Sequence, residues 1–174
     1  MNWAQEFALA NREEMMDRVM TELSFAFYGE DGHQKEMELE RINCHHNFTQ
    51  MEHHMGHNVW LTRKGAISAD LGKLGLIPGS MGTKSYVVSG LGNPLSFNSA
   101  PHGAGRNFSR AEARRRFTMA DLEKAMEGKE WSKKDAFIDE LPGAYKDIDL
   151  VMENAKELVK IEHTLTQIIN VKGD

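Results

Sequence analysis

Apolar positions set the first prediction. Trp3, Phe7, Ala10, Met16, Val19, Met20, Leu23 and Phe27 recur at helical spacing through a stretch free of Gly and Pro, which predicts an amphipathic helix. Its Met and aromatic stripe is read as a core face, and Glu13, Glu14, Asp17 and Arg18 as its solvated side. Gly29-Glu-Asp-Gly32 ends that helix, and positions 34–41 form a charged connection without a clear period. A short β-like run covers 42–48, and 59–69 reads as a strand pair turning at Gly65 with Arg63 and Lys64 at the turn. The run 76–88 passes from a loop into a strand. Helices are expected at about 110–117, 121–128 and from a loop at 141–149 to about Lys156, with a strand-like alternation over 158–171. No internal repeat, linker or low-complexity tract interrupts the order, so the class is α+β, in one domain over 1–174.

Composition narrows this. A chain of 174 residues can bury one respectable core. Twenty-one Lys and Arg against 26 Asp and Glu give a net charge of −5, which excludes a generally basic nucleic-acid surface but leaves room for a local basic groove. Cys44 is the lone cysteine, so no intramolecular disulfide forms and a reducing compartment is expected. No apolar run spans a bilayer and no signal-peptide pattern opens the chain, so the expected location is cytoplasmic, without a membrane.

Candidate chemistry gathers at His102-Gly103-Ala104-Gly105-Arg106. Small residues let main chain approach an anion closely, and a histidine among them offers a nitrogen nucleophile. Ser109 with Glu112 has capping-box spacing, so a helix start follows, with Arg110 beside it. The plainer reading is a glycine turn with an exposed histidine. Upstream, Gly79, Ser80, Gly82, Thr83 and Ser85 crowd hydroxyls and small residues around one bend, as a nucleotide contact needs. The order is not that of a Walker A loop, so Lys84 is not given the P-loop role. Five of eight histidines lie between His45 and His57, yet their spacing matches neither a zinc finger nor an H-E-x-x-H helix. His53, His54 and His57 are read as exposed polar residues, His46 as the ligand candidate and Cys44 as a small buried hydrophobe. Arg63 and Lys64 suit a phosphate or a solvated hairpin tip, and Arg114, Arg115 and Arg116 fan around a helix axis, mostly toward solvent.

Taken together, Asn43-Cys-His-His-Asn-Phe48, Thr62-Arg-Lys-Gly-Ala66, Ile77-Pro-Gly-Ser-Met-Gly82, His102-Gly-Ala-Gly-Arg106 with Ser109-Arg110, Tyr145-Lys-Asp-Ile-Asp149 and Val171-Lys-Gly173 closely resemble the RtcB family of RNA-splicing ligases, from Trp3 to Gly173. The resemblance implies an RtcB-like mixed sheet and helix domain, here an incomplete, C-terminal part. It implies joining of RNA 2′,3′-cyclic phosphate or 3′-phosphate ends to 5′-hydroxyl ends, in tRNA splicing or repair, with GTP and manganese (Mn2+). By resemblance, His102 is the histidine that becomes guanylylated, His46 a manganese ligand, and Asn47 a nucleotide phosphate contact. Pro78, Gly79, Ser80, Met81 and Ser85 match the nucleotide loop, Gly103, Ala104 and Gly105 the backbone beside the nucleophile, Lys172 a guanine contact, and Tyr145 a residue packing on that base. The family's other metal ligands, an aspartate, a cysteine and two histidines, have no counterpart here. Asn2-Trp-Ala-Gln5 resembles family interior sequence, which admits Met1 as an internal methionine. Three readings follow: the C-terminal portion of a ligase, a split enzyme completed by a separate N-terminal chain, and a non-catalytic nucleotide- or RNA-binding remnant. A split enzyme is expected to expose apolar surface where its other half packs.

Overall fold

The computed structural model describes residues 2–29 and 37–172; the expected stop at Glu30-Asp31-Gly32, the start of the charged connection, and Gly173 lie outside them. The chain forms two compact units, Met1–Lys64 and Gly65–Asp174.

The first unit opens with α1, Asn2–Tyr28, as the apolar period predicts. Its expected core face is overturned. Trp3 is 75% exposed and Phe27 70%, and Ser24 is the helix's one buried residue. The reason is angular. At about 100° per residue, Trp3, Phe7 and Ala10 fall on one side of the axis while Met16, Val19, Leu23 and Phe27 fall on nearly the opposite side. No single stripe results. Strands β1, Asn47–His54, and β2, His57–Lys64, then pair antiparallel from Asn47↔Lys64 to His54↔His57. Met55 (φ 51°) and Gly56 (φ 81°) make the turn, the two successive positive φ values that a right-twisted two-residue hairpin requires. Against β1, the Gln5 amide acts as a piece of backbone: its nitrogen donates to Thr49 O at 3.2 Å and its oxygen accepts from Thr49 N–H at 3.2 Å. Two expectations fail here. Positions 42–45 carry no regular structure, so His46 sits in a bend ahead of β1. Gly65 does not join a strand pair, because β2 partners β1 and the following strand partners another segment.

In the second unit β3, Ala66–Ser68, pairs antiparallel with β6, Ser99–Pro101. Strands β4, Leu74–Pro78, β5, Ser85–Gly90, and β8, Val159–Leu165, form an antiparallel sheet in the order β4-β5-β8. Short β7, Glu130–Trp131, runs parallel to β9, Ile169–Asn170. Alternation decides the buried face of β5, where Tyr86 and Val88 point inward with Gly90. Gly90 cannot be larger, since a Cβ would stand 2.3 Å from Ala69 C and Asp70 O. Helices α2, Arg110–Arg116, α3, Met119–Ala125, and α4, Ile148–Asn154, start at side-chain caps on Ser109, Thr118 and Asp147. Ala113 of α2 and Leu122 of α3 join Met81, Met126, Phe137, Leu141 and Ala144 in one core. Small sheets mixed with helices bear out the α+β expectation.

Candidate active site

His102 stands just past β6. Its backbone N–H donates to Gly65 O at 3.1 Å, so the pairing of β3 with β6 fixes where the imidazole begins. Gly103 is set against the end of β4: a Cβ there would lie 3.0 Å from Pro78 O. That close approach brings the histidine loop and the expected nucleotide loop together. Ala104 is buried, whereas Gly105 turns in the left-handed region (φ 72°) with open space where a side chain would go. Gly105 O accepts from Lys146 N–H at 2.9 Å, and Ala144 O accepts from Asn107 N–H at 2.9 Å. The loop is therefore strapped on one side to Gly65 and Pro78 and on the other to residues 144–146.

Arg106 completes the strap. Its guanidinium lies 4.7 Å from the Tyr145 ring centroid, donates to Tyr145 OH at 2.9 Å and to Phe108 O at 3.0 Å, and pairs with Glu140 at 3.4 Å. Tyr145 OH in turn donates to Glu140 Oε2 at 2.5 Å, and Lys172 Nζ pairs with the same oxygen at 3.0 Å. Burial would raise the Glu140 carboxyl, but the bonds from Tyr145 and Lys172 and the charges of Lys172 and Arg106 hold it below the usual range. Burial, then the Glu140 bond and charge, push the Tyr145 phenol up to about 12. Two of the expected cofactor contacts, Tyr145 and Lys172, thus meet through one carboxylate. Sequence reading missed Glu140, because nothing in one dimension distinguishes it from other acidic residues. Arg110 and Arg114 approach Asp139 at 3.7 and 2.7 Å, yet both stay exposed, as do Arg115 and Arg116, so the arginines of α2 face solvent as expected.

Residues 79–84 form a closed turn between β4 and β5. The N–H groups of Gly79, Ser80, Gly82 and Thr83 donate to Lys84 O, Thr83 Oγ1, Gln167 Oε1 and Ser80 O respectively, at 2.7–3.2 Å. Those four donors serve the turn's own shape rather than a cradle for an anion. Gly79 is required, since a Cβ would fall 2.5 Å from Lys84 O. The Met81 side chain is spent in the core, and Ser85 opens β5 opposite Pro78. Beyond this turn lies a groove of about 580 Å³ lined by Gly82, Thr83, Lys84, Pro142, Tyr145 and Asp149, among others. Of the expected site residues it includes Tyr145 and not His102. Lys84 is held by Asp149 at 2.6 Å, consistent with its exclusion from a P-loop role.

His46 and Asn47 belong to the first unit. The His46 ring is half-buried, and desolvation followed by the Arg12 charge lowers its pKa, which favours the neutral form a metal ligand needs. Asn47 is exposed and lines a groove of about 330 Å³ with Gln5, Thr49, Thr62 and Arg63. Among the described residues no three His, Cys, Asp or Glu side chains are grouped to hold a metal ion. The residues present do not fit a manganese site, because a single imidazole does not compete with water for such an ion. Cys44 is half-buried and unpaired by any disulfide. His54 corrects the reading of exposed histidines: it is buried and bonded to Glu52 at 2.6 Å, while His53 and His57 are exposed. Arg63, expected at a turn, is buried within β2 against the same carboxylate.

A family model described as tRNA-splicing ligase RtcB matches residues 1–173. The RNA-splicing ligase RtcB of Escherichia coli K12 is 47% identical over 98% of this chain and 42% of its own length. The tRNA-splicing ligases RtcB of Pyrobaculum aerophilum and Thermococcus kodakarensis are 32% and 33% identical over 89% and 90% of the chain, each matched over 37% of its length. The chain spans less than half the length of these relatives.

Proposed function

The chain belongs to the RtcB family of tRNA-splicing ligases, and on that premise we propose that it carries the nucleophile-bearing part of an RNA ligase whose His102 accepts GMP from GTP. The observation that supports this reading is the double anchoring of the His102 loop, through Gly65 on one side and residues 144–146 on the other. A nucleophile held by main chain keeps its position while a ligand comes and goes.

GTP enters as a substrate. A neutral His102 ring nitrogen attacks the α-phosphorus; the N–P bond forms as the α–β P–O bond breaks, pyrophosphate leaves with the electron pair, and the ring proton passes to solvent. GMP then passes to an oxygen of the RNA 3′-phosphate, freeing the imidazole. The 5′-hydroxyl oxygen of the second RNA end, such as a tRNA half, attacks that phosphorus, expels GMP and forms the phosphodiester. The Ser80 and Ser85 hydroxyls supply contacts to the nucleotide that the turn's bonded N–H groups do not. Tyr145 offers its ring to the guanine and Lys172 its ammonium, both positioned by Glu140. Manganese in the intact enzyme would polarise phosphoryl oxygens. His46 would supply at most one donor, and the others would have to come from polypeptide equivalent to the part of the relatives that this chain does not match. No helix among the described residues is long and apolar enough to cross a membrane.

The isolated His46 favours a second reading, a non-catalytic nucleotide- or RNA-binding remnant. Intact-mass measurement separates the two. After GTP and manganese, in the presence of the rest of the E. coli relative as a separate chain, a GMP adduct is expected on the wild type and absent from His102→Ala. No adduct in the mixture, with GTP still bound, establishes the remnant.

A further inference from the structure

Every buried apolar side chain among the described residues lies at Ile67 or beyond; the described residues of the first unit bury Ser24, His54 and Arg63 and no hydrophobic side chain. A unit without an apolar core has little to offset the entropy of ordering its chain. What it does hold is polar: the Gln5 amide on β1, Arg63 and His54 on Glu52, and Arg41 on Glu13 and Asp17. Such contacts align elements without burying oil.

Its apolar residues are outside instead. Trp3 and Phe7 stack with ring centroids 5.7 Å apart on one side of α1, and both are exposed. Phe25 and Phe27 are exposed near its far end. On the hairpin, Met51 faces Trp60 across the strands, and both stand in solvent, Trp60 66% exposed. A shallow groove of about 330 Å³ runs between Gln5, Glu6 and this pair. Stacked and cross-strand aromatic pairs at this exposure are the composition of an interface core, where Trp, Phe and Met concentrate.

We propose that Met1–Lys64 is a docking module whose α1 and β1–β2 faces are covered by the polypeptide equivalent to the portion of its relatives that this chain does not match. More than half of each relative's length lies outside the match, enough chain to cover a helix on two sides and a hairpin face. Two opposite apolar sides on one helix mean that it is sandwiched rather than laid on a surface. The proposal rests on the part of the functional reading that makes the chain incomplete, not on the chemistry at His102.

The full chain is co-expressed with the unmatched portion of the E. coli K12 relative, with that relative's own matched portion as the positive control for the probe. Light scattering after size exclusion is expected to show a one-to-one complex. Amide exchange in α1 and β1–β2 is expected to slow at least tenfold on assembly. Phe7→Glu and Trp60→Glu, exposed positions whose substitution leaves the second unit's exchange unchanged, are each expected to weaken the complex about 30-fold. A control complex without one for this chain overturns the proposal. So does a self-associated chain whose α1 is already protected, a monomer whose α1 exchanges as slowly as β5, or a complex indifferent to both variants. A complex without GMP transfer sinks the ligase reading and leaves the docking module standing; transfer by the chain alone does the reverse.

Discussion

Glu52 is a carboxylate with a side chain only 12% exposed, held between the Arg63 guanidinium and the His54 ring. Burial acts to raise it, but the bonds from Arg63, His54 and Gln50 and the Arg63 charge win and set it at about 2, against an ordinary value near 4.5. A group depressed in the folded state contributes stability above its unfolded pKa and loses it as pH falls toward the folded value. The contribution at neutral pH is therefore on the order of 2–3 kcal/mol, eroding between about pH 4.5 and 2. Amide protection across β1–β2, taken as the exchange rate relative to the intrinsic unfolded-chain rate at each pH from 6 to 3, is expected to fall through that window in the wild type and to be already low and flatter in Glu52→Gln. An equal pH response in both would place the acid sensitivity elsewhere. The same triad explains why His54 and Arg63 were misread from sequence. Each is polar and neighbours other polar residues, and what engages both is one carboxylate, Glu52, two residues from His54 on β1 and within reach of the Arg63 guanidinium on β2.

At the scale of elements, the turn 79–84 depends on a residue far along the chain. The Gln167 amide nitrogen donates to Ser80 O at 3.0 Å, its oxygen accepts from Gly82 N–H at 2.9 Å, and Asn170 Nδ2 donates to that oxygen at 3.0 Å. Gln167→Ala removes both ends of this brace; Ser80 O keeps its bonds from Thr83, and the Gly82 N–H is left to water, at a cost of about 1 kcal/mol. Under the proposed function, GTP affinity is expected to fall about tenfold while the GMP adduct at saturating GTP is retained, since His102 is anchored separately through Gly65. Loss of the saturated adduct together with affinity would show the two loops to be one unit. This brace also marks the limit of what the sequence discloses. Strand β5 and the bend before it were legible from Gly79, Gly82 and the hydroxyls around them; β4, Leu74–Pro78, was not, because residues 76–78 read as part of the loop. The existence of α1 was legible from its period, but not the exposure of both its sides, because apolar spacing reports a helix and is silent on what is available to cover it. At Gly65 the alternation correctly gave strands on either side, yet pairing is a long-range choice, and β2 and β3 each took another partner. His102 could be nominated from its local motif and Tyr145 from the family resemblance; Glu140, which ties Tyr145 to Lys172, from neither.

The two units differ in what resists unfolding, and this difference can be measured on the whole molecule. The second unit has the Leu122, Met126 and Phe137 core closed by α2 and α3, together with buried Ile67, Ile77, Tyr86, Val88 and Val159 along its strands, so its amides in β5 and β8 should exchange only when the unit opens as a whole. In the first unit the hydrogen bonds of α1 and β1–β2 are backed by no buried hydrophobic side chain among the described residues. Isolated helices and two-stranded hairpins are marginal in water, so its openings in the chain alone should cost little. Native-state exchange is expected to show β5 and β8 protected at least 100-fold more strongly than the middle of α1. Leu122→Ala, which empties part of a fully buried site, costs about 2–5 kcal/mol and should accelerate exchange in β5 and β8 toward a common rate. It should leave α1 and β1–β2 as they were. If the variant accelerated both units by the same factor, they would share one cooperative transition, and the first unit would owe its order to the core of the second. If only the second responds, order in Met1–Lys64 is a separate equilibrium, open to control by whatever polypeptide supplies the apolar surface it lacks.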